Sequence, residues 1–184
     1  MAKRKTVKIN SEEILCAGFG GQGIMFMGKL LAEAGLMAGK HVTWMPAYGA
    51  EVRGGTAYSK TKISDSGIAS PLTTRPDILI AMNKLSLIKY EGMVKDGGMI
   101  IANKTLIDTI NKRKGVAYIN SPITEWACSL GDIKVANIIA LGILSKKARV
   151  ISAKNVLAAL GDILKNKKEL FALNKKAFER GYKV

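Results

Sequence analysis

Residues 18–23 read GFGGQG, directly after the apolar run ILCAG and directly before IMFM. A short buried strand that ends in a glycine turn and opens into a helix is a β-loop-α unit. That unit constrains the fold more than any other stretch, because it needs a parallel or mixed sheet to sit in. The rest of the chain agrees. From Ile24 to Gly39 the pattern is helical, with Met27, Leu30, Leu31 and Ala34 on one face and Gly39 as a stop. HVTWM reads as a second strand, PAYGAEVRGGTAY as a loop, and TAYSKTKIS as a half-exposed strand that is the candidate for an antiparallel neighbour.

PDILIAMN is a continuous apolar strand bounded by Pro76 and Asn83, followed by a short helix over Lys84–Lys95 and the strand MIIAN. A lysine-rich helical stretch is expected next, then the strand GVAYIN. Ser121 and Pro122 have the residue types of a helix start, serine as cap and proline in the first turn. DIKVANIIALGILSKKA is expected as a longer helix with a stripe of Val135, Ile138, Ile139 and Leu144, and Ser152 as the cap of AKNVLAALGDIL. KKELFALNKKAFERG closes a helical C-terminus. These alternations predict a three-layer α/β domain with a mostly parallel or mixed sheet covered by helices, its first unit Rossmann-like. With no repeat or linker, residues 1–184 read as one domain, residues 1–12 being a basic N-terminal extension.

Chemistry is narrowed by what the residue types exclude. Cys16 and Cys128 are the only cysteines and His41 the only histidine, so neither a four-cysteine cluster nor a histidine-based metal site can be assembled from this chain. No catalytic constellation and no metal ligand set is expected. The opening MAKRKTVKINSEE lacks the apolar core of a signal peptide, and VANIIALGIL is too short to span a bilayer. A cytoplasmic chain without membrane contact is the expectation. The net charge of +15 raises the question of nucleic acid. The lysines gather at termini and helix ends without interleaved aromatic platforms, which favours solvated faces or an acidic protein partner instead.

Three readings fit the glycine loop. Gly18, Gly20 and Gly23 satisfy G-x-G-x-x-G, the dinucleotide fingerprint, and a freestanding dinucleotide-binding protein is the alternative it supports. The acid expected at the end of the second strand is missing, however, since TWMPAYG precedes Glu51. GIMFMGK has the spacing of a P-loop but places Leu30 where a magnesium-binding hydroxyl belongs. The third reading is a helix N-terminus whose backbone N–H groups face an anion or a partner chain. A second segment, YGAEVRGG, adds Glu51 and the permanently charged, fork-shaped Arg53, then Gly54 and Gly55. Two glycine-dense loops in one small domain point to a binding or docking face.

Taken together, GFGGQGIMFMGKLLAEAG, PAYGAEVRGG, SPLTTRPDILIAMN and GDIKVANIIALG resemble, in order and spacing, the gamma subunit of 2-oxoacid:ferredoxin oxidoreductases and the similar domain of pyruvate:ferredoxin oxidoreductases. The resemblance spans about residues 13–145 plus the helical tail. It implies a gamma-type domain and a role in converting a 2-oxoacid and coenzyme A to acyl-CoA, carbon dioxide and reduced ferredoxin. 2-Oxoglutarate is slightly preferred over pyruvate or a branched-chain 2-oxoacid. Thiamine diphosphate, magnesium and iron–sulfur clusters are then expected in alpha, beta and ferredoxin-like delta partners, with ferredoxin as acceptor. This chain is expected to bind no cofactor tightly. The resemblance assigns Gly20, Gly21, Gln22, Gly23, Glu51, Arg53, Gly54 and Gly55 to a face for coenzyme A or for subunit docking.

Overall fold

The computed structural model describes residues 11–47 and 56–184. Six strands form one mixed sheet: β1 (Ser11–Gly18), β2 (His41–Ala47), β3 (Ala57–Ser64), β4 (Ile78–Ala81), β5 (Met99–Asn103) and β6 (Ala117–Ser121). Their order is β2-β3-β1-β4-β5-β6. β1, β4, β5 and β6 run parallel, while β3 is antiparallel to both β1 and β2. The mostly parallel, mixed sheet read from the sequence is therefore present, with TAYSKTKIS as its antiparallel strand. β1 opens at Ser11, inside the stretch read as an extension.

Because successive side chains point to opposite faces, β1 feeds two cores. Ile14 and Cys16 join the larger one, under α1 (Ile24–Met37), α3 (Ile123–Ser129), α4 (Ala136–Lys147), α5 (Ala153–Ile163) and α6 (Lys168–Tyr182). Leu15 and Ala17 join the smaller one, with Leu79, Ile100 and α2 (Lys84–Tyr90). Each fully buried Leu or Ile contributes about 1.5–3 kcal/mol, so the larger core carries most of the stability. The predicted face of α1, Met27, Leu30, Leu31 and Ala34, is fully buried there. Gly39 ends that helix region with φ +70°.

α4 differs from its expected stripe. Every residue from Ala136 to Ser145 is buried, so the helix is enclosed on all sides rather than on one face. The run VANIIALGIL has no polar period to leave exposed, and α6 closes the remaining side. Glycines permit that approach. A Cβ on Gly142 would fall 2.2 Å from the Phe178 carbonyl oxygen, and one on Gly181 2.0 Å from that of Ile139. Ser152 caps α5 as read, in a reciprocal capping box with Asn155.

Two local expectations are corrected. Residues 104–116 hold no helix. The β-branched Thr105, Ile107, Thr109 and Ile110 disfavour one, Ile107 is drawn into the smaller core, and the guanidinium of Arg113 donates to the carbonyls of Glu91 and Gly92 at 3.3 and 3.1 Å, tying the segment to a 3-10 turn. Nor does Ser121 cap α3. It ends β6, and α3 starts after Pro122. Its first N–H groups are met from the neighbouring strand end instead: Thr124 N donates to Asn103 Oδ1 (3.2 Å) and Glu125 N to Thr105 Oγ1 (3.2 Å).

Candidate functional site

The carboxyl ends of β1, β4 and β5 converge on the glycine loop, where parallel sheets place their ligands. Gly21 and Gly23 adopt φ +89° and +71°, which side chains resist. Gly23 also caps α1 without any side-chain bond, and the first turn of α1 carries no acid. The donors and positive dipole end of a 14-residue helix are thus left uncompensated.

Gln22 turns inward and locks the loop. Its Oε1 accepts from Phe19 N (2.7 Å) and Asn83 Nδ2 (3.1 Å), while its Nε2 donates to the Met82 carbonyl (3.4 Å). Asn103 Nδ2 donates to that same carbonyl (3.1 Å) and to Thr124 Oγ1 (2.8 Å). Asn83 Oδ1 accepts from Ser86 N (2.9 Å) and starts α2. One neutral network therefore ties the loop to two strand ends and two helix starts. Gly18 lets Gln22 fit, since a Cβ there would meet Gln22 Oε1 at 2.6 Å.

Asn137, at the start of α4, stands against Gly23 from the other side. A Cβ on Gly23 would come within 2.1 Å of Asn137 Nδ2. The amide is 6% exposed and, among the described residues, has no hydrogen-bond partner. It lines a cavity of about 210 Å³ with Phe26 and Lys134. Lys134 also borders a second cavity, of about 160 Å³, beside Gly21 and Gln22.

Of the residues read from the sequence, Gly20, Gly21, Gln22 and Gly23 share this edge, with Gly20 and Gly21 exposed. Glu51, Arg53, Gly54 and Gly55 lie outside the described residues. Their flanks are informative: Ala47 pairs with Tyr58, and Ala57 pairs with Gly18, so the chain leaves β2 and enters β3 at this same edge. Sequence reasoning does not single out Asn83, Asn103, Thr124 or Asn137 as part of the site. A signal exists for two of them, because both central apolar strands, ILIAMN and MIIAN, end in asparagine. Residues 24–29 are the first turns of α1, so the P-loop spacing wraps no phosphate.

Among the described residues, the groups gathered at this edge are side-chain amides, backbone N–H groups and Lys134. Cys16 is fully buried, and burial pushes its thiol up to about 12, far from a thiolate at neutral pH. Cys128 is exposed on α3. Among the described residues no group of three His, Cys, Asp or Glu is placed to hold a metal ion, and no helix is long and apolar enough to cross a membrane.

Comparison with known proteins gives this geometry a context. The chain is 34% identical to the 2-oxoglutarate synthase subunit KorC of Methanocaldococcus jannaschii over 100% of its own length and 98% of the relative's. It spans only about a quarter of the longer ketoisovalerate oxidoreductase subunits that it matches at 39% and 40% identity. Its fold superposes with a TM-score of 0.81 on the keto/oxoacid ferredoxin oxidoreductase gamma subunit of Geobacter sulfurreducens, at 29% identity, covering 94% of this chain and 96% of that one. A TM-score of 0.86 at 26% identity relates it to 2-oxoglutarate:ferredoxin oxidoreductase from Magnetococcus marinus, a structure with 2-oxoglutarate, coenzyme A and succinyl-CoA bound, over 95% of this chain and 31% of the longer one. A family model described as Pyruvate ferredoxin/flavodoxin oxidoreductase matches residues 13–184, and the chain, with its gamma-type fold, belongs to that family.

Proposed function

We propose that this chain is the non-catalytic gamma subunit of a multi-subunit 2-oxoacid:ferredoxin oxidoreductase, where it docks partner subunits and contributes to holding coenzyme A. The observation that carries the reading is the carboxyl edge itself. A glycine loop immobilised by Gln22 leaves the N-terminus of α1 open, with the unpartnered amide of Asn137 beside it. Neutral donors and a helix N-terminus suit the phosphates of coenzyme A, and Arg53 adds a bidentate cation on this reading. Carbon chemistry and electron transfer fall to partners that hold thiamine diphosphate, magnesium and iron–sulfur clusters, with ferredoxin as acceptor. 2-Oxoglutarate is slightly preferred over pyruvate or a branched-chain 2-oxoacid: the relative covered over 98% of its length at 34% identity is named for it, while the pyruvate/ketoisovalerate gamma subunit of Thermococcus litoralis is matched over 95% of its length at 28%.

Reconstitution tests it. The chain alone has no oxoacid-dependent activity, and adding it to its alpha and beta companions restores acyl-CoA formation. Arg53→Ala and Asn137→Ala in the assembled enzyme raise the KM for coenzyme A by about tenfold, equivalent to about 1.4 kcal/mol, while oxoacid decarboxylation persists. Companions whose activity is indifferent to the chain sink the subunit reading. Unchanged coenzyme A kinetics in both variants leave docking as its role.

A further inference from the structure

Next to the glycine loop, two large apolar side chains face solvent: Leu106 is 43% and Ile133 58% exposed. Both line the 160 Å³ cavity, whose floor is the buried Met82 and whose walls include Gly21 and Ala136. Neither side chain sits on a loose segment. Leu106 follows a turn closed by its N–H on the Asn103 carbonyl at 3.0 Å. Ile133 begins a 3-10 turn fixed by Asp132 Oδ1, which accepts from Lys134 N at 2.9 Å. The cavity is of the order that takes a benzene-sized group. Among the described residues, its rim carries one cation, Lys134, and no carboxylate. Lys104 follows β5 on the same edge.

An apolar hole with a cationic rim selects an apolar side chain carried on an acidic segment. We propose that this cavity is the anchor point for the partner subunit that corresponds to the additional length of the longer relatives, receiving one such side chain between Leu106 and Ile133 while a flanking carboxylate faces Lys134. The proposal rests on the subunit reading above and gives it a specific contact. This chain aligns with 27% of one longer relative and superposes on 31% of another, so most of their length is additional protein available to cover such a face.

Titration of the labelled chain with its purified companion subunits, at low and high salt, tests the anchor. Leu106→Asp combined with Ile133→Asp weakens association at least about tenfold, and Lys134→Glu weakens it several-fold with a reduced salt dependence. Leu106→Ala with Ile133→Ala, which adds no charge, gives a smaller loss in the same direction. Leu36→Asp and Leu72→Asp, on side chains at least as exposed elsewhere, leave association unchanged, and thermal melting verifies that every variant is folded. Undiminished association of the Leu106/Ile133 variants overturns the anchor, as does intact assembly with only a raised KM for coenzyme A. Failure of the unaltered chain to associate at all is a different result and overturns the subunit reading together with it.

Discussion

The two ends of the sheet solve the same problem with different chemistry. At the carboxyl end the polar network is neutral: half-buried Gln22 and buried Asn83, Asn103 and Thr124 satisfy one another and the Met82 carbonyl. At the amino end they are ionisable. Glu12 is buried and accepts from the N–H groups of Arg149 (3.0 Å) and Val150 (3.2 Å), while Asp77 accepts from Glu13 N (2.8 Å) and Lys95 Nζ (3.0 Å). The amino-end carboxyl groups are engaged by the protein itself, including backbone donors. The carboxyl end keeps an uncapped helix, an unpartnered amide and exposed apolar side chains. The difference separates an end whose carboxyl groups are engaged within the fold from an end that keeps unengaged groups at its surface.

The largest effect should come from breaking the neutral network. Asn103→Ala removes the donor to two acceptors and the acceptor for Thr124 N, all buried. It should cost about 3 kcal/mol in urea unfolding, nearly independent of pH, because no member titrates. The amino end behaves oppositely. Burial raises the Glu12 carboxyl above its ordinary value of 4.5, against the pull of two backbone donors and Arg149. The folded chain then holds that proton to higher pH than the unfolded chain does. The stability contributed by Glu12 therefore falls as pH rises from 4.5 through the folded value. Unfolding midpoints across that window should slope less in Glu12→Gln than in the parent, and equal slopes would break the contrast. The smallest effect belongs to Lys95→Ala. Its bond to Asp77 joins partly exposed groups, so a loss of about 0.5 kcal/mol is expected at low salt, vanishing in molar salt.

What the sequence discloses follows the range of the interactions involved. α1 is legible because Met27, Leu30, Leu31 and Ala34 repeat at helical spacing and Gly39 stops them, all within one short stretch. Ser152 is legible because its capping partner, Asn155, lies within the first turn of the same helix. The start of α3 is misleading because its donors are met by Asn103 and Thr105, about twenty residues upstream, and no local pattern announces that. Residues 104–116 look helical in sequence because lysines mask a segment held by Ile107 and Arg113 through tertiary contacts. The candidate site divides along the same line. Its glycines and Gln22 are contiguous and can be read directly. Asn83 is 61 residues from Gln22, and Asn137 is further still from Gly23, so only the folded sheet brings them together.

The clasp between Glu12 and residues 149–150 also sets a schedule. Its partners are 137 and 138 residues apart in the chain. At about 5–20 residues per second of synthesis, roughly 7–30 s separate the emergence of Glu12 from that of the groups that satisfy it. During that interval β1, the central strand, carries an uncompensated carboxylate where it must later be buried. The amino end of β1 is therefore completed only after α4 and residues 149–150 beyond it have been made.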